Sequence, residues 1–352
     1  FVLSKRNIEN FRATYVRLVD YNSQQAKEEA LLLGNDRHTA RKENFDKIQG
    51  SPIAYWVSDK VLQAFEDGKP LVSIADPKQG LATADNNRFL RLWYEVVSSR
   101  IGFTCASIED SVSSGKKWFP YNKGGEFRKW YGNNDYTVNW ENDGNEIRNF
   151  GDGTGYIRSR AQNTQFYFRP AVTWSKISSG SIAFRFKPAG HIFDVAGTSI
   201  FANPDLELYL LGFNNSVVAL TIANVLSPTL NYEVGHIASF PIIEQRTDEV
   251  KSIVSQNINL SRADWDSFET SWDFKQHPLF NGERTVESAF GKWEREAKER
   301  FETLKANEEE LNRVFIDIYG LQDELTPEVH DKDVTVRRAD LGREIRSLLS
   351  YA

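Results

Sequence analysis

The C-terminal third of this chain is constrained first by a single stripe. Phe290, Trp293, Ala297, Phe301, Leu304, Leu311, Phe315 and Ile318 recur at steps of three, four and seven. That spacing lays side chains along one face of an α-helix, with the charges on the other. Gly320 ends the pattern, as glycine commonly ends a helix. A long charged helix of this kind reads as a structural arm or a bundle member. At 352 residues the chain can also hold two or three domains and a sizeable core.

The period changes upstream. Tyr15-Val16-Arg17-Leu18-Val19 is β-rich, and Gln24 to Leu33 is made of good helix formers. A second helix is expected from Ser58, with Val61, Leu62 and Phe65 on one face and Gly68-Lys69-Pro70 as its stop. Residues 71–240 carry most of the β signal. Short strands are expected at Gln165–Arg169, Ala171–Trp174, Ser181–Lys187 and His191–Val195, separated by Pro and Gly punctuation. In Ser181–Lys187, alternation puts Ile182, Phe184 and Phe186 on one face and Ala183, Arg185 and Lys187 on the other. Asn203-Pro204 opens a helix carrying Tyr209, Leu210, Phe213, Val217 and Leu220, which Ser227-Pro228 closes. Beyond Glu244 a helical chain is expected.

Composition excludes several classes. Hydrophobic content of 40% suits a folded protein, and no apolar run approaches the roughly 18 residues of a membrane span. Phe1-Val2-Leu3-Ser4-Lys5-Arg6 turns polar at once, so no signal peptide is visible. The lone Cys105 excludes an intrachain disulfide and fits a reducing compartment, so a cytoplasmic location is expected. Five scattered histidines offer no zinc spacing. No methionine occurs at all. The chain therefore reads as a piece of a longer protein, the alternative being a sequence that has lost residues. Leu341 to Ala352 agrees, as a helix interrupted in mid-pattern.

The net charge of −6 argues against general polyanion binding, but the distribution is uneven. From Gly153 to Phe193 there is no acid, against Arg158, Arg160, Arg169, Lys176, Arg185 and Lys187. Two loops add amides, cations and glycines. Asn86, Asn87 and Arg88 follow Asp85; Asn can pair bidentately with adenine and Arg with guanine, or both can grip phosphates. The bland alternative is a capped turn. Lys123, Gly124, Gly125, Arg128 and Lys129 form the second group, where paired glycines permit close backbone approach and the cations release counterions. Trp118, Tyr121, Trp130 and Tyr131 around it are candidates for stacking on an unpaired base, or for a core beneath the loop. Gly151-Asp152-Gly153-Thr154-Gly155 lacks the following helix of a nucleotide-binding loop and reads as a turn. No serine elbow is present, and Cys105 reads as a small buried hydrophobe.

Three runs carry a resemblance. Gly50-Ser51-Pro52-Ile53-Ala54-Tyr55-Trp56, Gly80-Leu81-Ala82-Thr83-Ala84-Asp85-Asn86-Asn87-Arg88-Phe89 and Trp118-Phe119-Pro120-Tyr121-Asn122-Lys123-Gly124-Gly125 resemble the C-terminal part of the adenine-specific DNA methyltransferases of BREX phage-defence systems. They are also similar to type IIG/IIL restriction-modification enzymes, and Arg313 to Leu325 resembles a further stretch of the same family. Leu230 to Gln245 is similar to the end of a target-recognition domain in type I specificity subunits, where a long spacer helix follows. The resemblance implies an α+β chain in three parts: the end of a methyltransferase domain at 1–50, a mixed β-rich target-recognition domain like that of type I specificity subunits at 51–245, and a helical spacer or bundle region at 246–352.

The family's S-adenosylmethionine loop and its Asn/Asp-Pro-Pro-aromatic motif do not occur here; Asn203-Pro204-Asp205 is the nearest match. The resemblance thus implies no cofactor in this chain, S-adenosylmethionine in the full-length parent, and no activity for this part alone. Expected partners are double-stranded DNA and the missing N-terminal methyltransferase domain, with other phage-defence proteins as candidates and no membrane. Expected DNA contacts are Asn86, Asn87, Arg88, Lys123, Gly124, Gly125, Arg128, Lys129, Arg158, Arg160 and Arg169. The rival readings are a carbohydrate- or protein-binding module, since Trp, Tyr, Asn and Gly also line sugar sites, and a self-contained hydrolase.

Overall fold

The computed structural model describes residues 11–177, 180–227, 229 and 231–351. Two four-stranded sheets organise an α+β fold. In the first, strands run in the order Ile192–Phe193, Trp118–Asn122, Tyr136–Asn139, Leu90–Leu92, with the first pair parallel and the others antiparallel. In the second the order is Asp76–Lys78, Ser199–Phe201, Ala171–Trp174, Phe184–Lys187, all antiparallel. The chain passes from one to the other between Phe193 and Ser199. Asn122 ties them there, donating through Nδ2 to Thr173 Oγ1 and to the Gly197 carbonyl (2.9 Å).

Strand alternation decides which core each residue enters. Val172, Trp174, Phe184 and Ile200 face a core built with the helices Pro204–Asn214, Val217–Leu226, Thr247–Trp265 and Val286–Tyr319. Ala171 and Phe201 point the other way, into a core shared with Leu90, Phe119, Val138 and Phe193 of the first sheet. Phe213 sits at the centre of the helical core, against Phe240, Phe315 and Tyr319. That core draws on residues from Val61 to Val336.

The expected stripe forms one face of the helix Val286–Tyr319, capped by Thr285 and ended by Gly320 at φ +65°. The helix at Gln24–Leu33 and the stop after Asp67 also fall where expected. Four expectations change. The helix opened by Asn203-Pro204 is two helices bent by 77°. Asn215 turns its amide onto both backbone groups of Phe184 (2.9 Å each), and Ser216 caps a new helix through Ala219 N–H. Its closing Ser227 follows Leu226 directly, while Pro228 lies outside the described residues. Gln165–Arg169 is no strand but a short 3-10 turn at Thr164–Phe166, with Phe168 at φ +66°. Residues 266–285 are turns rather than helix. Arg185 and Lys187 do leave the ring-bearing face of their strand, but for the interior: each is 1% exposed. No single described helix is long and apolar enough to cross a membrane.

Candidate nucleic-acid interface

The first predicted loop is a built turn. Asp85 caps the one-turn helix Asn86–Phe89 by accepting Arg88 N–H at 3.0 Å, and Phe89 anchors it in the core. Thr83 Oγ1 donates to Asn86 Oδ1 at 2.6 Å. Asn86 and Asn87 are exposed. The capped-turn reading therefore accounts for Asp85, while the turn itself presents the two amides outward. Arg88 is engaged: it grips Glu146 at 2.8 Å and lies over Phe150. That ion pair pulls the Glu146 carboxyl below its ordinary range.

A concavity of about 420 Å³ opens beside this turn, lined by Asn86, Asn87, Arg91, Glu95, Lys123 and Tyr136 among others. Arg91 enters from the strand Leu90–Leu92, which Leu90 anchors in the core. Its guanidinium bonds the Asn87 and Leu90 carbonyls (2.6 Å each) and lies over Trp118. Lys123 follows the strand Trp118–Asn122 with Nζ 5.8 Å from the Tyr136 ring. Sequence reading missed Arg91 and Tyr136. The apolar-polar-apolar alternation of Leu90-Arg91-Leu92 was the signal that could have found Arg91.

Arg158 and Arg160 are exposed on a neighbouring segment. The chain Arg158–Arg160 returns along Phe150 and Ala82, with Arg160 and Ala82 exchanging backbone bonds at 2.8 and 3.0 Å. Arg158 and Arg88 share the Phe150 ring. Arg169 stands elsewhere, over Phe166 and Phe201 beside Lys78 and Lys187. Of the other cations in the acid-free stretch, Lys176 pairs with Glu233 at 2.9 Å. Arg185 and Lys187 are buried, and burial lowers their pKa values to about 10 and about 7.

The second loop departs most from its sequence reading. A Cβ on Gly124 would come 3.0 Å from the Ala196 carbonyl, and one on Gly125 would come 2.6 Å from Asn133 Nδ2. The close approach these glycines permit is to their own chain. Arg128 is 11% exposed and paired with Asp264 at 3.4 Å, over Trp265. Lys129, 12% exposed, pairs with Glu308 at 2.7 Å, and Trp130 Nε1 donates to the same carboxylate at 2.7 Å. Trp118, Tyr121, Trp130 and Tyr131 are all buried. This loop is a clasp between the sheets and the helices.

Two other motifs resolve simply. Gly151 pairs with Ile157 around an exposed turn in which Asp152 accepts from Thr154, with no helix after it, so the residues do not fit a cofactor cradle. Asn203 of the Asn-Pro-Asp run caps a helix through Leu206 N–H at 2.9 Å. Among the described residues no cluster of His, Cys, Asp and Glu could hold a metal.

Comparison with known proteins relates the chain, along its length, to adenine-specific methyltransferases. It is 44% identical over 366 aligned residues, covering all of this chain, to adenine-specific methyltransferase PglX of Lacticaseibacillus casei (strain Zhang). It is 31% identical over 330 residues, covering 93% of this chain, to adenine-specific methyltransferase BrxX of Escherichia coli O9:H4 (strain HS). The chain spans 30% and 26% of those relatives. No protein-family model matches it.

Proposed function

We propose that this chain is the DNA-recognising portion of an adenine-N6 DNA methyltransferase of a BREX-type phage-defence system. Residues 51–245 select the site, 246–352 brace them, and 1–50 end the methyltransferase domain. The transferred methyl comes from S-adenosylmethionine held by the rest of the protein. Methylating adenine requires swinging it out of the helix. The task left to this part is to hold the flanking duplex in register through phosphates and to read base edges.

What supports this reading is the concavity lined by Asn86, Asn87, Arg91 and Lys123, with Arg158, which shares the Phe150 ring with Arg88, and Arg160 also exposed. Lys123 makes no ion pair with any described residue. Amides and cations at one concave place suit base edges and phosphates together. The test is duplex binding by this chain across a salt series. Affinity that falls steeply with salt, with the log–log slope reduced by about 1 in Lys123→Ala, supports the reading. Binding that ignores salt, or an unchanged slope in the variant, sinks it.

A further inference from the structure

Between Phe150 and Arg158 the chain doubles back on itself in a short braced hairpin. Arg158 N–H donates to the Phe150 carbonyl at 2.9 Å, and Asp152 N–H to the Tyr156 carbonyl at 3.3 Å, with Gly151 paired to Ile157. The two limbs run so close that a Cβ on Gly151 would come 2.4 Å from the Tyr156 carbonyl oxygen. Inside the turn the Asp152 carboxylate accepts from the Thr154 N–H at 2.9 Å and from its hydroxyl at 2.6 Å.

The root of the hairpin is fixed to the turn that carries Asn86 and Asn87. Phe150 packs edge-on against Phe89 at 5.1 Å, and Phe89 is the ring that anchors that turn in the core. Arg88 and Arg158 both lie over the Phe150 ring, at 5.1 and 5.8 Å.

The tip is apolar where a surface turn is commonly polar. Every residue from Asp152 to Arg158 is exposed. Tyr156 is 67% exposed and the adjoining Ile157 44%. A lone exposed apolar side chain needs no explanation, but here a ring and a branched aliphatic sit together on a braced turn. Arg158 and Arg160 are exposed directly behind them, and no acid follows Asp152 until Asp194. An apolar tip backed by arginines matches a partner with an anionic rim and an apolar interior. Duplex DNA is built that way, with phosphates outside and stacked bases within.

We propose that this hairpin is a wedge that opens the duplex: Tyr156 enters between base pairs while Arg158 and Arg160 hold the phosphates beside it. The proposal rests on the duplex-binding reading and adds to it the device that loosens the stack. Swinging a base out requires unstacking it, and apolar side chains inserted between base steps do that work in other DNA-binding proteins. Unstacking resists the intruder, so the wedge must be stiff. The paired limbs, the Asp152–Thr154 brace and the root on Phe89 supply that stiffness.

The experiment measures by fluorescence anisotropy how this chain binds two short duplexes, one fully paired and one with a central T·T mismatch. Wild type, Tyr156→Ala and Tyr156→Phe are compared, and a 2-aminopurine beside the mismatch reports unstacking through its fluorescence. A mismatched step has already lost part of its stacking, so a wedge enters it at lower cost. Wild type should therefore bind the mismatched duplex about tenfold more tightly and brighten the 2-aminopurine. Tyr156→Ala should lose both effects and keep the salt slope, since the ring neutralises no phosphate. Tyr156→Phe should keep both effects. Loss in Tyr156→Phe as well as Tyr156→Ala assigns the effect to the hydroxyl and overturns the wedge. Salt-dependent binding without a mismatch preference, or with one that survives Tyr156→Ala, overturns the wedge and leaves the duplex-binding reading intact. Absence of duplex binding overturns both. The brightening is read on wild type, so its absence counts against the wedge whatever the stability of the variants.

Discussion

Replacing Lys129 by alanine separates a structural cation from a DNA-binding one. In the structure its ammonium meets Glu308 at 2.7 Å, and Glu308 is 3% exposed. Removing one member of a buried ion pair costs about 3–5 kcal/mol, because the other charge stays behind unpaired. Lys129 keeps some exposure, and the Trp130 indole still donates to the carboxylate. The lower end, about 3 kcal/mol, is therefore expected. For 352 residues the unfolding entropy is about 0.7 kcal/mol/K, so the midpoint should fall by about 4 °C. Glu308→Gln in the same background keeps an acceptor for Trp130 and removes the stranded charge. It should recover about 1–2 kcal/mol, a non-additivity that marks direct contact. Scanning calorimetry measures the midpoints, and fluorescence anisotropy at two salt concentrations measures duplex affinity. An unchanged midpoint with reduced affinity and a shallower salt slope would refute the reasoning and return Lys129 to the DNA-contacting set.

Three further outcomes follow from the same structure. Lys187 is buried with its pKa lowered to about 7, against about 10.4 in an unfolded chain, so between those values the unfolded state holds the extra proton. Its contribution to stability should rise as pH climbs from about 7 toward 10, and the difference in midpoint between wild type and Lys187→Met should track that window; a pH-independent difference would contradict the buried placement. Phe213→Ala removes a ring packed on Phe240, Phe315 and Tyr319 and should cost about 3–5 kcal/mol by denaturant titration; a cost below about 1 kcal/mol would mean the helices do not share that core. Gly125→Ala, at φ +153° and 2.6 Å from Asn133 Nδ2, should destabilise by about 1–3 kcal/mol without altering the salt slope of duplex binding; a changed slope would put the glycine at the DNA surface.

Local information was enough to place most of the elements. The stripe from Phe290 to Ile318, the helix starts at Ser58 and Asn203 and the stop at Gly320 are all set by neighbours within a turn or two of helix. So is the alternation that turned Arg185 and Lys187 away from Phe184 and Phe186. Where the sequence misled, a distant group had intervened. Asn215 broke a well-patterned helix because it could bond the backbone of Phe184, 31 residues away.

The same reason divides the candidate site. Sequence alone marked Asn86 to Arg88 and Lys123 to Lys129 as candidate DNA-contacting loops, with the second as the stronger case. Only the tertiary structure sorted them, since a charge acts according to its burial and its partner. Arg128 and Lys129 meet Asp264 and Glu308 from 136 and 179 residues further along the chain, and become interior ties. Lys123 and Arg91 meet no such carboxylate among the described residues and stay at the surface concavity. No periodicity or spacing within either loop encodes that difference, because the partners arrive only when the long helices fold back onto the sheets.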